Sequence, residues 1–318
     1  MKVLFPTSTP FDFTKKDAGI EYVAYNPTEP VPAGHHDAEM LVVWGTPRRL
    51  LAEAARDMTD LRLVQGLMAG VNALIDTDFP ADVPLANGRG LHDLTVAEHT
   101  LALILGAARH LHLLRDAQRA KRWLREGDAG YPDSDPEAFA TLRGARVTVW
   151  GFGSIAAALA PLLQALGAEV TGVATTAGER SGFPVVTADE LPRLLPETDV
   201  LVMILPASAA TDNALAAERL ALLPRHAWVV NVGRGNSINE DDLAAALRSG
   251  ALAGAALDVF AAEPLPENSE LWELPNVIVS PHAAGNIPIG AEELVRDNAR
   301  RLRDGEPLRN IVDRDRGY

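Results

Sequence analysis

The chain has 318 residues, of which 47% are hydrophobic and 23% charged. This length predicts two domains of ordinary size. The net charge of -14 argues against nucleic acid and anionic membrane surfaces as partners, and the lack of cysteine excludes disulfides, thiolate catalysis and cysteine-ligated zinc. The few apolar residues before Pro6 do not suit a signal peptide, and no apolar run reaches membrane-spanning length. We therefore expect a cytoplasmic protein with no membrane segment.

Short apolar runs alternate with turn-rich segments over the first ninety or so residues, which predicts a small parallel sheet. These runs are residues 3–5, 20–25, 40–44, 61–65 and 83–86. A crossover helix is predicted over 48–56. A single long helix is predicted over 95–125, because apolar residues recur there at three- and four-residue steps. Residues 127–136, rich in Gly, Asp and Pro, predict a loop.

Strand and helix patterns alternate regularly in the second half, which predicts a doubly wound parallel (Rossmann) sheet of the α/β class. The predicted strands are residues 146–150, 169–173, 200–205, 227–231, 254–258 and 277–279. A last helix over 289–303 would return to the first domain. We therefore expect a dinucleotide-binding domain over 93–285. A smaller flavodoxin-like α/β substrate domain, discontinuous in sequence, would comprise 1–92 and 286–318.

A dinucleotide-binding fingerprint with alanine at its third position follows the strand 146–150. Gly151 permits a tight turn, Gly153 lets a pyrophosphate approach the backbone, and Ala156 is small enough for close helix-strand packing. A purely steric glycine turn is the alternative. The strand before the motif and the helical pattern over 157–166 favour a nicotinamide cofactor.

The end of the second strand of that domain leaves the coenzyme open. An acidic residue that binds the ribose hydroxyls is usual there, but this chain has Ala174, Thr175 and Thr176. We take Thr175 as a cofactor contact. No arginine stands at these positions to bind a 2′-phosphate, although Arg180 is a candidate in the following loop. Both NAD and NADP are therefore compatible with the sequence.

Three consecutive predicted strands are each followed by a polar residue, namely Arg234, Glu263 and His282. Ligands of open α/β sheets bind outside the carboxyl ends of the strands. Arg234 can hold a carboxylate by two hydrogen bonds and polarise an adjacent carbonyl, which gives an acidic protein the local cation that an acidic substrate needs. Glu263 can stabilise the His282 imidazolium, so that His282 serves as acid in reduction and base in oxidation. Taken singly, each residue also fits a surface or structural role.

With these motifs the sequence resembles the D-isomer-specific 2-hydroxyacid dehydrogenase family. Within that family it resembles the glyoxylate/hydroxypyruvate reductases or the phosphoglycerate dehydrogenases. The matching stretches are residues 96–99, 151–156, 205–206, 231–235, 257–260, 263–264, 274–277 and 281–285. The resemblance implies an NAD(P)-dependent oxidoreductase that transfers a hydride between the cofactor and the C2 carbonyl of a small 2-keto acid. It implies Arg234 as the substrate-binding arginine, Glu263 as the partner carboxylate and His282 as the acid/base.

The resemblance also implies further contacts. Those with the cofactor are Ser154 and Ile155 along the pyrophosphate, Leu205, Pro206 and Thr211 on the adenosine side, Asp258 on the nicotinamide side, and Val232 and Gly285. Those with the substrate are the loop Met68, Ala69, Gly70 and Val71, whose backbone amides hold the carboxylate, and the loop with Trp44 and Gly45. Trp44 either narrows the substrate pocket or packs in the core.

Two other functions stay open on the sequence. An NAD(P)-binding adaptor of the corepressor type would keep the same trio, and a 3-phosphoglycerate dehydrogenase could use Arg48 and Arg49 as additional cations. The histidines at 35–36 and at 110 and 112 lack the spacing and the carboxylates of a metal site, so we expect none. The long apolar helix is broader than one small domain needs, and the resemblance implies dimerisation through this region, so we expect a homodimer.

Overall fold

The computed structural model describes residues 1–70, 72–125 and 138–314. The loop predicted over 127–136 lies outside these residues. By its internal contacts the chain divides into a first unit, Met1–His92 with Ile287–Tyr318, and a second unit, Asp93–Asn286. Each unit has its own sheet and its own core.

The strands of the described residues follow one another along the chain. They are β1 (Lys2–Pro6), β2 (Glu21–Tyr25), β3 (Met40–Val43), β4 (Leu63–Gly66), β5 (Leu85–Ala86), β6 (Arg146–Trp150), β7 (Glu169–Val173), β8 (Gly178–Arg180), β9 (Phe183–Val186), β10 (Val200–Met203), β11 (Trp228–Asn231), β12 (Gly254–Leu257) and β13 (Val277–Val279).

The α-helices of the same residues alternate with these strands. They are α1 (Arg48–Asp57), α2 (Asn72–Ile75), α3 (Asp93–Ala108), α4 (Leu111–Arg119), α5 (Ser154–Ala165), α6 (Leu191–Leu194), α7 (Ala217–Leu220), α8 (Glu240–Ser249) and α9 (Ala291–Asp304).

The sheet of the first unit is parallel, with the strand order β2-β1-β3-β4-β5. This is the flavodoxin-like order, as predicted. Strands β3 and β4 are buried along their whole length, which is why they appear in the sequence as continuous apolar runs. Helix α9 returns to this unit and buries Leu294, Val295 and Ala299 among Met40 and Val42.

The sheet of the second unit has the order β13-β12-β11-β10-β6-β7-β9-β8, and all its pairs are parallel except β8 with β9. Helices cover both faces. On one face Ile104 of α3 and Leu159 of α5 pack with Val230, and on the other Leu243 of α8 packs with Val229. The doubly wound Rossmann sheet predicted from the sequence is confirmed.

The single helix predicted over 95–125 is wrong, because the structure breaks it into α3 and α4. His110 has a left-handed backbone, with φ of 49°, and separates the two. The prediction failed because Leu111 and Leu114 continue the apolar steps of α3 across the break. Both are exposed, so they continue the pattern without continuing the core. Strands β8 and β9 were also missed, since both are short and β9 contains Pro184.

Among the described residues, none of the helices combines the length and the apolar character needed to cross a bilayer.

Candidate active site

The glycine-rich turn joins β6 to α5 and is shaped by close backbone contacts. Gly151 has φ of 103°, and a Cβ there would lie 2.3 Å from the carbonyl oxygen of Ile204. Any side chain at this position would therefore strain the turn and collide with the neighbouring strand end. Gly153 precedes the first residue of α5, and a Cβ there would meet no atom within 4 Å. The turn thus leaves open space directly before a helix N-terminus.

These residues fit a dinucleotide. The N–H groups of the first helical turn lack intrahelical acceptors and favour an anion such as a pyrophosphate. Ser154 and Ile155 stand in that turn, and Ser154 Oγ donates a hydrogen bond to Asp93 at 3.0 Å. Ala156 is completely buried, as expected of the residue that brings α5 close to the sheet.

The loop after β7 contains the predicted contact Thr175, which is exposed. Arg180, on β8, donates from Nη1 to the carbonyl oxygen of Phe152 at 2.7 Å. Its Nη2 donates to Thr176, to the hydroxyl at 2.8 Å and the carbonyl at 3.1 Å. The guanidinium therefore bridges the glycine-rich turn and the loop after β7. A cation stands at the place where the sequence showed no acidic residue.

The loop after β10 contains three predicted cofactor contacts. Leu205 is buried, and the carbonyl of Pro206 accepts a hydrogen bond from the Thr211 hydroxyl at 2.6 Å. The loop lies against Gly233, because a Cβ at that glycine would be 2.6 Å from the Leu205 nitrogen. Val232 is buried beside it. The loops after β10 and β11 therefore pack directly on each other.

Arg234 follows β11 in a loop that buried polar groups hold in place. The Asn231 side chain accepts from the Gly233 nitrogen at 3.1 Å and donates to the Arg234 carbonyl at 3.1 Å. The Ser237 hydroxyl donates to the same carbonyl at 2.6 Å. Only glycine fits at position 235, because a Cβ there would lie 1.8 Å from the Phe260 carbonyl carbon. Asn231 was not among the site residues predicted from the sequence, although a polar residue at the end of an apolar strand was a usable signal.

The Arg234 side chain is partly buried. Burial lowers its pKa, and the charge of Glu263 opposes that shift. The group nevertheless remains cationic near neutral pH. Its Nη1 donates to the Gly233 carbonyl at 2.7 Å. Its other N–H groups can donate to a carboxylate or carbonyl oxygen of a substrate.

Glu263 and His282 form a direct pair. The His282 Nδ1 lies 2.7 Å from Glu263 Oε2, and the other carboxylate oxygen accepts from the Phe260 nitrogen at 3.0 Å. One oxygen of the carboxylate is therefore held by its own loop, and the other orients the imidazole. Since Nδ1 faces Glu263, Nε2 is the nitrogen left for a substrate. The structure thus brings Glu263 into electrostatic range of both Arg234 and His282.

His282 stands in a strained turn after β13, with φ of 51°. Its nitrogen donates to the Asp258 carbonyl at 2.8 Å. The Asp258 carboxylate is completely buried and accepts from the backbone nitrogens of Ala283 at 2.9 Å and Ala284 at 3.0 Å. Asp258 therefore holds the turn that carries His282, and Gly285 comes next in the chain. Contact of Asp258 or Gly285 with a cofactor stays a prediction.

The predicted substrate residues belong to the first unit. Met68, Ala69 and Gly70 follow β4, and Val71 lies outside the described residues. The Met68 carbonyl accepts from the Gly88 nitrogen at 2.7 Å, which fixes the start of this loop. The Ala69 carbonyl accepts from Asn87 at 3.4 Å.

Trp44 and Gly45 follow β3. The Trp44 ring stacks on His92 at 5.5 Å between centroids, and its carbonyl accepts from Ser8 at 2.8 Å. Gly45 has φ of 71°. Trp44 is only partly buried, so it is not a full core residue, and its predicted role in the substrate pocket stays a prediction.

The cations proposed for a phosphorylated substrate have acidic neighbours of their own. Arg48 lies 3.5 Å from Asp76, and Arg49 donates to Glu53 at 2.5 Å. Over the described part of the chain, no group of three or more His, Cys, Asp or Glu residues is placed to hold a metal ion.

Comparison with known proteins gives a consistent set of matches. The model of a family described as D-isomer specific 2-hydroxyacid dehydrogenase, NAD binding domain, matches residues 101–284. Glyoxylate/hydroxypyruvate reductase A of Klebsiella pneumoniae (strain 342) is 32% identical to this chain, over 88% of this chain and 88% of its own length.

Two solved structures are similar over nearly the whole length. A D-isomer specific 2-hydroxyacid dehydrogenase from Xanthobacter autotrophicus Py2, in complex with NADPH and MES, has a TM-score of 0.75 and 34% identity, over 95% of this chain and 92% of its own. An NADPH-dependent glyoxylate/hydroxypyruvate reductase from Sinorhizobium meliloti, in complex with NADP and sulfate, has a TM-score of 0.78 and 26% identity, over 100% and 99%.

Proposed function

Because the chain belongs to the D-isomer specific 2-hydroxyacid dehydrogenase family, we propose that it reduces glyoxylate or hydroxypyruvate, with Arg234, Glu263 and His282 as its catalytic trio. The family predicted from the motifs is confirmed, and with it an NAD(P)-dependent oxidoreductase acting on small 2-keto acids. The choice of substrate rests on the relatives that carry these names. The assignment of the trio rests on the 2.7 Å pair between His282 and Glu263 and on the charge interaction of Glu263 with the partly buried Arg234.

Each member of the trio has a distinct task. A nicotinamide cofactor, when bound, would supply the hydride that reduces C2. Arg234 holds the substrate carboxylate and draws electron density from the neighbouring carbonyl oxygen. His282 donates a proton from Nε2 to that oxygen as it becomes a hydroxyl. Glu263 accepts the hydrogen bond from Nδ1, which fixes the tautomer and stabilises the charged ring. The remaining cofactor and substrate residues predicted from the sequence keep those roles in this proposal.

The coenzyme preferred in this proposal is NADPH. Arg180 bridges Phe152 and Thr176 next to the loop that lacks an acidic residue. A 2′-phosphate there would gain a charge-assisted hydrogen bond that a ribose hydroxyl cannot make as strongly. The two similar structures that contain NADPH or NADP support the same preference.

A substrate panel tests the function. Glyoxylate, hydroxypyruvate, pyruvate, a longer 2-keto acid and 3-phosphohydroxypyruvate are each offered with NADPH and with NADH. Among these substrates, we expect glyoxylate or hydroxypyruvate to have the highest kcat/KM. His282→Asn should lower kcat by about a thousandfold or more while NADPH still binds, because proton donation is lost and the binding turn is kept.

Three outcomes would contradict the proposal. Cofactor binding without turnover of any keto acid would favour an adaptor of the corepressor type. Preferred turnover of the phosphorylated substrate would favour a phosphoglycerate dehydrogenase. Full activity of His282→Asn would remove His282 from its assigned role.

We also propose that the protein is a cytoplasmic homodimer. Helix α4 presents Leu111 and Leu114 to solvent, and Trp123 beyond it is 89% exposed. Exposed apolar side chains grouped in this way are typical of an interface between protein chains. The use of a nicotinamide coenzyme supports a location inside the cell, and the chain has no disulfide that would need an oxidising compartment. Cell fractionation that recovers the protein outside the cytoplasm would contradict the location.

A further inference from the structure

A cluster of polar side chains outside the catalytic trio contacts the turn that carries His282. It consists of His99 on α3, Asp258 after β12 and Ser280 after β13. The His99 Nε2 lies 3.0 Å from Ser280 Oγ and 3.4 Å from Asp258 Oδ1. The Ser280 hydroxyl donates to Asp258 Oδ1 at 2.6 Å. Three separate elements thus meet at one carboxylate oxygen.

The direction of these bonds follows from their donors. Because Ser280 gives its only proton to Asp258, its oxygen acts as an acceptor toward His99. His99 therefore donates from Nε2, and this second bond holds the Ser280 oxygen in place while the hydroxyl proton stays directed at Asp258. In this arrangement Asp258 Oδ1 accepts from Ser280 and Ala283, while Oδ2 accepts from Ala284.

The same turn bears the strain of His282. A left-handed backbone at a non-glycine residue costs about 1 kcal/mol and persists only where the surroundings hold it. The His282 nitrogen donates to the carbonyls of Asp258 and Ser280, at 2.8 and 3.1 Å. Both residues that receive these bonds are the ones joined to His99. His99 is therefore connected to the backbone of His282 through one intervening residue, either Ser280 or Asp258.

We infer that His99 is a positioning residue for the acid/base His282, acting through Ser280 and Asp258. The inference rests on the proposed role of His282. His99 enters from α3, which packs on α5 and β12, so the donor belongs to a rigid helix and not to the catalytic loop. Loss of this donor leaves the Ser280 hydroxyl with its bond to Asp258 alone and loosens the turn, which misplaces Nε2 relative to the substrate carbonyl.

Four variants and one control separate positioning from packing. His99→Leu removes the donor at similar volume, His99→Gln keeps an N–H donor, and Ser280→Ala removes the hydroxyl. The fourth variant combines His99→Leu with Ser280→Ala. The control is His226→Leu, because His226 forms a comparable pair with Asp199 at 2.7 Å near the opposite, amino-terminal end of the same sheet. Each is assayed for kcat, KM, NADPH dissociation constant and Tm.

We expect His99→Leu to lower kcat by about tenfold, with the NADPH dissociation constant within about twofold of wild type, because a small misplacement of a catalytic group costs rate and not cofactor affinity. His99→Gln should recover kcat to within about threefold. Ser280→Ala should match His99→Leu, and the double variant should be no slower than the slower single variant, since both break one chain of contacts. His226→Leu should keep kcat.

A wild-type kcat for His99→Leu or for Ser280→Ala overturns the inference. An equal loss of kcat in His226→Leu, or a multiplied loss in the double variant, overturns it as well, since either would indicate general destabilisation or independent effects. If His99→Leu does not fold, Ser280→Ala and His99→Gln decide the question alone. His282→Asn measured beside them keeps the two proposals apart. Its full activity removes the proposed role of His282, whereas its inactivity with an unaffected His99→Leu removes only this inference.

Discussion

Arg180 is the residue at which the coenzyme preference can be tested alone. We expect Arg180→Gln to lower kcat/KM for NADPH by about tenfold to a hundredfold, because one charged hydrogen bond to a phosphate is worth roughly 1.5–3 kcal/mol. The kcat/KM for NADH should change little. Steady-state kinetics with both coenzymes on one enzyme preparation gives the ratio directly.

A matched control for Arg180 is Arg193, which pairs with Glu190 at 2.8 Å on an exposed surface of the same unit. Arg193→Gln removes the same charge and should leave the NADPH to NADH ratio unchanged. An equal fall with both coenzymes in Arg180→Gln would contradict the phosphate role. It would indicate that the bond from Arg180 to Phe152 serves only to hold the glycine-rich turn.

Helix α9 anchors the segment between β1 and β2 through one nearly buried carboxylate. Asp17 accepts from Arg296 at 2.6 Å, from Arg300 at 2.8 Å and from the Tyr22 hydroxyl at 2.9 Å. Arg296 also lies over the Phe13 ring, 4.8 Å from its centroid. Burial by itself raises the pKa of Asp17, but the hydrogen bonds from Tyr22, Arg300 and Arg296 outweigh it, and the net pKa is lowered.

The sign of the pH dependence follows from that lowered pKa. Asp17 stabilises the fold while it is ionised, so its contribution is complete above the unfolded pKa of about 3.9 and is lost as the pH falls through the lower folded value. Asp17→Asn should lower the free energy of unfolding at pH 7 by about 2–4 kcal/mol, because Arg296 and Arg300 both lose the charged acceptor that they share. Its stability should also fall less than that of wild type between pH 5 and about pH 3. Urea unfolding at each pH measures both effects.

The control for this element is an exposed pair. Asp57 accepts from Arg56 at 2.8 Å on α1, and its pKa is likewise lowered, by the hydrogen bond from Arg56. Asp57→Asn should lower the free energy of unfolding much less than Asp17→Asn does, because exposed ion pairs are weak. Equal losses in the two variants would show that burial of Asp17 adds nothing to the anchoring of α9.

Assembly is a property of the whole molecule, and the apolar surface of α4 predicts how to disrupt it. Replacing Leu111 and Leu114 together by Glu should convert a dimer into a monomer of 34.0 kDa, because charges buried at an apolar interface without partners cost several kcal/mol. Sedimentation at micromolar concentration measures the mass.

Ile311→Glu is the comparison, since Ile311 is an exposed apolar residue of the first unit. It should leave the dimer intact. A monomeric wild type, or a dimer that survives both changes on α4, would contradict the proposed interface.

The fold class and the candidate trio were within reach of the sequence, because both depend on local patterns. Buried parallel strands appear as continuous apolar runs, and a residue just beyond such a run lies at the ligand-binding edge. Arg234, Glu263 and His282 could therefore be selected from order along the chain, and Gly151 from its place between a strand and a helix. The spacing of apolar residues failed at His110, because periodicity records which residues are apolar and not whether they are buried.

Only the tertiary structure decided the contacts between residues that lie far apart in sequence. His99 and Ser280 are separated by 181 positions, and no local pattern links them. The sequence placed a cation near the coenzyme loop, but the bonds that hold Arg180 against Phe152 arise from the pairing of β8 with β9. Sequence alone thus determined the strands other than β8 and β9, the glycine turn and the chemical type of the trio, through short-range periodicity and steric rules. The supports of the trio required the fold, because hydrogen bonds join whichever groups the packed sheet brings within 3 Å.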